Sequence, residues 1–120
     1  MFTSGSTGLP KPVALTHAMV LARLEWQWDA FPFRDGEVCC FKTALTFVDA
    51  VAEIFAPLLG GVPVVVLPRG VVRDPPALLD LLAERGVTRV VLVPSLLKVL
   101  LDCASAEEKH ARSVAEIRKR

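Results

Sequence analysis

The sequence predicts an α/β chain, a partial parallel β-sheet covered by helices, on three observations. Two β-branched runs, VPVVVL at 62–67 and VVLV at 90–93, read as strands buried on both faces. Each is followed by a stretch carrying apolar residues at helical spacing. Turn residues (Gly60-Gly61, Asp74-Pro75, Gly86 and Pro94-Ser95) punctuate the alternation. Strand, helix, strand, helix in that rhythm calls for parallel pairing with right-handed crossovers.

In chain order, residues 13–15 predict a short strand after a polar opening loop. Thr16 suits a helix N-cap, and 17–28 carries Met19, Val20 and Leu24 on one helical face. Phe31-Pro32-Phe33 and Asp35-Gly36 end that helix, and 38–41 is a candidate strand. A second helix over 48–59 stops at Gly60-Gly61 in the manner of a C-cap. Asp74-Pro75 supplies an N-cap and first-turn pair for a helix carrying Leu78, Leu79, Leu81 and Leu82 and ending at Gly86. Residues 96–103 predict a last apolar helix. A charged tail over 104–120 follows, either a solvated helix or a disordered end, so the expected division is 1–103 and 104–120.

Composition narrows the function classes. With 120 residues, 52% of them hydrophobic, the chain reads as one globular unit rather than a disordered one. A net charge of +1 argues against nucleic acid or an anionic membrane as partner. The uncharged stretch 54–68 is too short to span a bilayer and is broken by Gly60, Gly61 and Pro63. Cys39, Cys40 and Cys103 form no disulfide framework and read as small buried thiols. His17 and His110 have no second ligand at metal spacing, so no transition metal is expected. Met1 runs straight into the polar loop without a signal-peptide pattern, which makes a cytoplasmic location the default expectation. Ser95 with His110, and Cys103 with His17, lack a third orienting group and read as structure.

The chemistry concentrates in FTSGSTGLPKPV at 2–13. Thr3, Ser4, Gly5, Ser6, Thr7 and Gly8 offer backbone N–H groups without bulky side chains, and hydroxyls that suit phosphate or magnesium. Glycine permits the positive φ that turns successive N–H groups toward one centre. Lys11 adds a mobile positive charge. The lysine is flanked by Pro10 and Pro12, which excludes a Walker loop, and G-x-G-x-x-G is absent. On composition alone, a linker or ordinary turn and a phosphate cradle both remain open.

The same segment resembles the signature loop of adenylate-forming enzymes, the AMP-dependent synthetases and ligases that include acyl-CoA synthetases and amino-acid adenylation domains. LTH at 15–17, FVDAVAEIFAPLLGG at 47–61 and VTRVVLVPSLLKVLL at 87–101 resemble that family's next segments, in order. The resemblance implies an incomplete slice of the family's large N-terminal domain. It also implies a parent activity in which ATP activates a carboxylic or amino acid as an acyl adenylate, with release of pyrophosphate. The acyl group then passes to coenzyme A or a carrier-protein pantetheine. By resemblance, Thr3 to Gly8 hold the ATP phosphates, Thr7 contacts magnesium, and Lys11 is the catalytic counter-charge. Phe47, Val48, Asp49 and Ala52 wall the acid pocket.

The chain departs from the family pattern at three places. Adenylation domains for α-amino acids carry an aspartate at the position of Val48, whereas here Asp49 stands one residue later. That shift turns a helical side chain by about 100°. Asp49 therefore either reaches a differently placed amine or caps the helix, and the cap is the favoured expectation. Pro12 replaces a glycine of the loop and removes an N–H. The family's adenine-binding Y-G-x-T-E, its ribose aspartate and its C-terminal lysine do not occur. The chain alone is therefore expected to be inactive, with exposed apolar surface. A noncatalytic remnant serving as a protein-interaction module is the alternative.

Overall fold

The computed structural model describes residues 1–3 and 8–117, with 109–117 as backbone only. The chain opens with an antiparallel hairpin of β1 (Phe2–Thr3) and β2 (Lys11–Pro12), in which Phe2 faces Pro12 and Thr3 faces Lys11. The strand expected at 13–15 thus lies earlier. Pairing with Phe2–Thr3 fixes the ladder at 11–12, and the N–H of Val13 closes it on the carbonyl of Met1 at 2.7 Å.

α1 (His17–Ala30) starts where Thr16 Oγ1 accepts from the Met19 N–H at 3.2 Å, as the sequence predicts. β3 (Cys39–Phe41) follows, then α2 (Asp49–Leu59) and β4 (Val64–Val66), which pairs parallel with β3 from Cys39–Val64 to Phe41–Val66. α2 is therefore the crossover of a βαβ unit. Its end is a Schellman motif: Gly61 sits at φ +71°, the Val62 N–H donates to Pro57 O, and the Gly61 N–H donates to Leu58 O. The mixed α/β class agrees with the sequence.

α3 (Arg69–Val72), a single turn without a clear signal in the sequence, leads into α4 (Pro75–Glu84). Asp74 Oδ1 caps α4 on the Ala77 N–H at 3.3 Å. Gly86, at φ +62°, turns the chain back. The expected strand at 90–93 is reduced to one parallel bridge between Arg89 and Cys39. Thr88 nevertheless anchors this segment beside β3, accepting from the Val38 N–H at 3.0 Å. No described strand lies on its far side, so the run has no second ladder to join. α5 (Pro94–Ile117) runs through residue 104 without a break.

Two apolar clusters hold these elements. Cys40, Leu67, Leu78 and Leu100 join β3 and α4 to α5, and Leu24, Ala52 and Ala56 join α1 to α2. The Trp28 indole N–H donates to Ala56 O at 3.1 Å across the second cluster. The expectation of strands buried on both faces fails at β4, because Val66 remains 70% exposed. With Leu59, Val93 and Leu101 also exposed, apolar surface is extensive, as expected. The radius of gyration, 18.1 Å, exceeds the roughly 14 Å of a compact chain this long.

Arg89 ties the α1–β3 connection to the sheet. Its guanidinium donates to Phe31 O at 2.7 Å, Pro32 O at 3.0 Å and the Glu37 carboxylate, and it lies over the Phe33 ring. The hydrogen bond from Arg89 holds the Glu37 carboxyl below its ordinary value of 4.5. This contribution is present above the unfolded-state value and is lost as pH falls through the lower folded-state value. Glu37→Gln should lower the melting temperature at pH 7, and the gap to the unsubstituted chain should close as pH falls below 4.5 and through the lower folded-state value.

Burial pushes the Cys39 thiol up and the Cys40 thiol up to about 11, whereas Cys103 is only half-buried. Titration with a disulfide reagent at pH 8 should therefore show one fast thiol, absent in Cys103→Ser. The other two should react only on unfolding.

Candidate active site

The hairpin and the start of α2 meet across a contiguous depression. One cavity of about 710 Å³ is lined by Phe2 and Thr3 of β1, by Val13, Leu15 and Met19, and by Phe47 and Val48. A second, of about 240 Å³, shares Leu15, Met19 and Val48 with it and adds Asp49 and Ala52 of α2 against Val20 and Leu24 of α1. Of the residues expected to act, Thr3, Phe47 and Val48 line the first cavity; Val48, Asp49 and Ala52 line the second.

Lys11 lines neither cavity. It is exposed on β2 directly across the ladder from Thr3. Gly8 adopts φ +81°, a conformation that the loop needs and that an L side chain strains. Ser4, Gly5, Ser6 and Thr7, and with them the expected magnesium contact at Thr7, lie outside the described residues.

Asp49 corrects the favoured expectation. The N-cap position of α2 is Val48, in helical conformation, and no side chain caps this end. Asp49 is instead the first helical residue, exposed, and in no ion pair among the described residues. The reason is local: Phe47 to Val51 are already turning, with the Ala50 N–H on Phe47 O and the Val51 N–H on Val48 O. The helix is entered through a continuous turn, which leaves no extended residue to act as a cap. The other charged group on this wall, Arg23, lies 4.7 Å from the Trp26 ring centroid.

A cluster not expected from the sequence supports this end of α2. Glu53 is 4% exposed, and its carboxylate accepts from the N–H groups of Lys42 and Thr43, both at 3.0 Å. It also accepts from Thr43 Oγ1 at 2.7 Å and pairs with Lys42 Nζ at 3.2 Å. The available signal was a charged residue inside an otherwise apolar helix, which a buried partner has to explain.

The AMP-binding enzyme family matches residues 1–119. Over 102 residues, 84% of this chain, it is 51% identical to the beta-alanyl-bioamine nonribosomal peptide synthetase ebony of Drosophila melanogaster. It is 40% identical over 111 residues, 92% of its length, to the phosphinothricin tripeptide synthetase PhsB of Streptomyces viridochromogenes. It is 37% identical over 110 residues, again 92% of its length, to the vanchrobactin synthetase VabF of Vibrio anguillarum. The chain spans only 12%, 9% and 4% of those three proteins, respectively.

Proposed function

The chain belongs to the AMP-binding enzyme family, and from that premise we propose that it carries the phosphate loop and one wall of the acid pocket of an ATP-dependent ligase. That ligase joins a β-amino acid to the α-phosphate of ATP and releases pyrophosphate. It then hands the acyl group to a thiol, a carrier-protein pantetheine or coenzyme A. The carrying observation is Asp49: an exposed carboxylate without an ion-pair partner among the described residues, on the wall of a small, mostly apolar cavity.

A β-amino acid carries its ammonium one C–C bond, about 1.5 Å, further from the carboxylate than an α-amino acid does. Moving an aspartate one residue along a helix advances it by about 1.5 Å and turns it by about 100°. At the reach of a side chain the turn outweighs the rise, so Asp49 faces an amine placed elsewhere than an α-ammonium, as the amine of a β-amino acid is. The name of the Drosophila relative, which specifies a beta-alanyl group, supports the same substrate class.

In this reading the loop from Thr3 to Gly8 cradles the β- and γ-phosphates, and Lys11 neutralises charge on the leaving pyrophosphate. Both act by positioning and electrostatics. Magnesium, when bound, would add to that neutralisation, with Thr7 as its expected contact. Val48 and Ala52 present small apolar walls that exclude water from the acid. Residues 1–120 alone bind nucleotide without turnover. The alternative, an interaction module, draws on the exposed apolar residues of α2, β4 and α5 and predicts no nucleotide binding.

The test is pyrophosphate exchange by the intact natural polypeptide that carries residues 1–120. β-Alanine should support exchange better than α-alanine. Asp49→Asn should lower kcat/KM for β-alanine by roughly 10- to 150-fold, the equivalent of about 1.5–3 kcal/mol for a charged hydrogen bond. Unchanged kinetics in that variant would overturn the assignment of Asp49. Lys11→Ala should slow exchange without abolishing it, because the backbone donors of the cradle remain.

A further inference from the structure

We propose that Glu53, with Thr43 and Lys42, is a positioning clamp that sets where Asp49 stands and so tunes recognition of the substrate amine. The inference rests on the β-amino acid reading. Its basis is the way the loop between β3 and α2 is closed. Residues 42–48 leave the sheet and enter α2 without a side-chain cap, so only backbone hydrogen bonds shape the first turn on which Asp49 sits, and no side chain anchors that turn locally. The tie comes from the next turn of the helix. Glu53 Oε2 accepts both successive N–H groups that begin the loop, Lys42 and Thr43, each at 3.0 Å. Glu53 Oε1 takes the Thr43 hydroxyl at 2.7 Å and the Lys42 ammonium at 3.2 Å, and that ammonium also donates to Thr43 Oγ1 at 3.3 Å. One carboxylate on α2 thus ties the start of the segment that carries Phe47, Val48 and Asp49 back to the helix in which that segment ends.

Asp49 and Glu53 are one helical turn apart, and Ala52, which precedes Glu53, lines the same cavity as Asp49. Any movement of Glu53 against the loop is therefore a movement of the pocket wall. Glu53 itself lines neither cavity, which makes it a positioning residue. All the buried side-chain polar atoms among the described residues have partners, so the clamp has no spare group of its own to offer a ligand. Misplacement of a binding group by about 1 Å is enough to cost up to 100-fold. The Val13 and Met1 backbone groups close the phosphate hairpin on itself, and none of these bonds involves the clamp.

The experiment compares kinetic constants in the intact natural polypeptide carrying residues 1–120. Glu53→Gln should raise KM for β-alanine about tenfold or more, with kcat and KM for ATP changed by less than about twofold. Thr43→Val should raise the same KM by about threefold, and Thr43→Ser, which keeps the hydroxyl, should restore it. An unchanged KM for β-alanine in Glu53→Gln would overturn the clamp, as would KM and kcat moving together with the melting temperature. If Glu53→Gln does not fold, the Thr43 pair decides: equal KM values in Thr43→Val and Thr43→Ser overturn the clamp. Failure of the unsubstituted protein to exchange pyrophosphate with β-alanine would instead overturn the substrate reading, and the amine-recognition role with it.

Discussion

The structure turns on a buried charge at the exit of the parallel strand pair. Lys42 and Glu53 are nearly inaccessible, and a pair of this kind contributes little net stability compared with an apolar pair of the same size. Breaking it by removing one partner is another matter, with a typical cost of about 3–5 kcal/mol. An interaction with that asymmetry enforces an arrangement more than it stabilises one. Here the arrangement is the approach of α2 to β3, on which both apolar clusters depend. Cys40 on β3 belongs to one cluster and Ala52 on α2 to the other.

Arg89 plays the corresponding part on the other side of β3. Its guanidinium directs its donors to two carbonyls and a carboxylate of the α1–β3 connection, in the forked geometry that lysine cannot supply. The connection is irregular, and its carbonyls would otherwise be left to solvent beside the sheet. With Thr88 bonded to Val38, two successive side chains reinforce an edge at which the backbone provides one bridge and two N–H groups, of Thr88 and Arg89, that donate to Val38 O. Side-chain hydrogen bonds thus supplement a short backbone contact where a full strand ladder is missing.

Much of the fold was legible because its signals are local. Thr16, Asp74, Gly61 and Gly86 act where capping and turn chemistry place them, and the helical period marked out α1, α2 and α4. The errors at 90–93 and at Val66 share one cause. Residues 90–93 and Val66 have strand composition, but a strand exists only with a neighbour and a buried face only with a cover, and neither is encoded in the segment itself. The boundary of α2 failed differently: aspartate before an apolar run has the composition of a cap, yet the turn from Phe47 already carries helical hydrogen bonds, so the aspartate falls inside. At the candidate site, Thr3, Phe47, Val48, Asp49 and Ala52 were named from the sequence and line the two cavities. Glu53 was not, because its partners lie ten and eleven residues back, on the far side of a loop.

The position of Asp49 combines two electrostatic effects whose sizes decide what it can do. As the first residue of α2 it sits at the positive end of the helix dipole, which stabilises a carboxylate there by about 0.3–1 kcal/mol. That stabilisation uses the field of the helix and not the oxygen lone pairs, so the acceptor sites stay available. The same end of the helix repels an incoming ammonium, but with an effective charge of only about +0.5 against a full unit of negative charge on Asp49. The carboxylate outweighs it at contact distance. A capping aspartate would instead have committed an oxygen to the backbone. By starting the helix at Asp49 and not after it, the chain exchanges a local stabilisation for an acceptor on the wall of the cavity between α1 and α2.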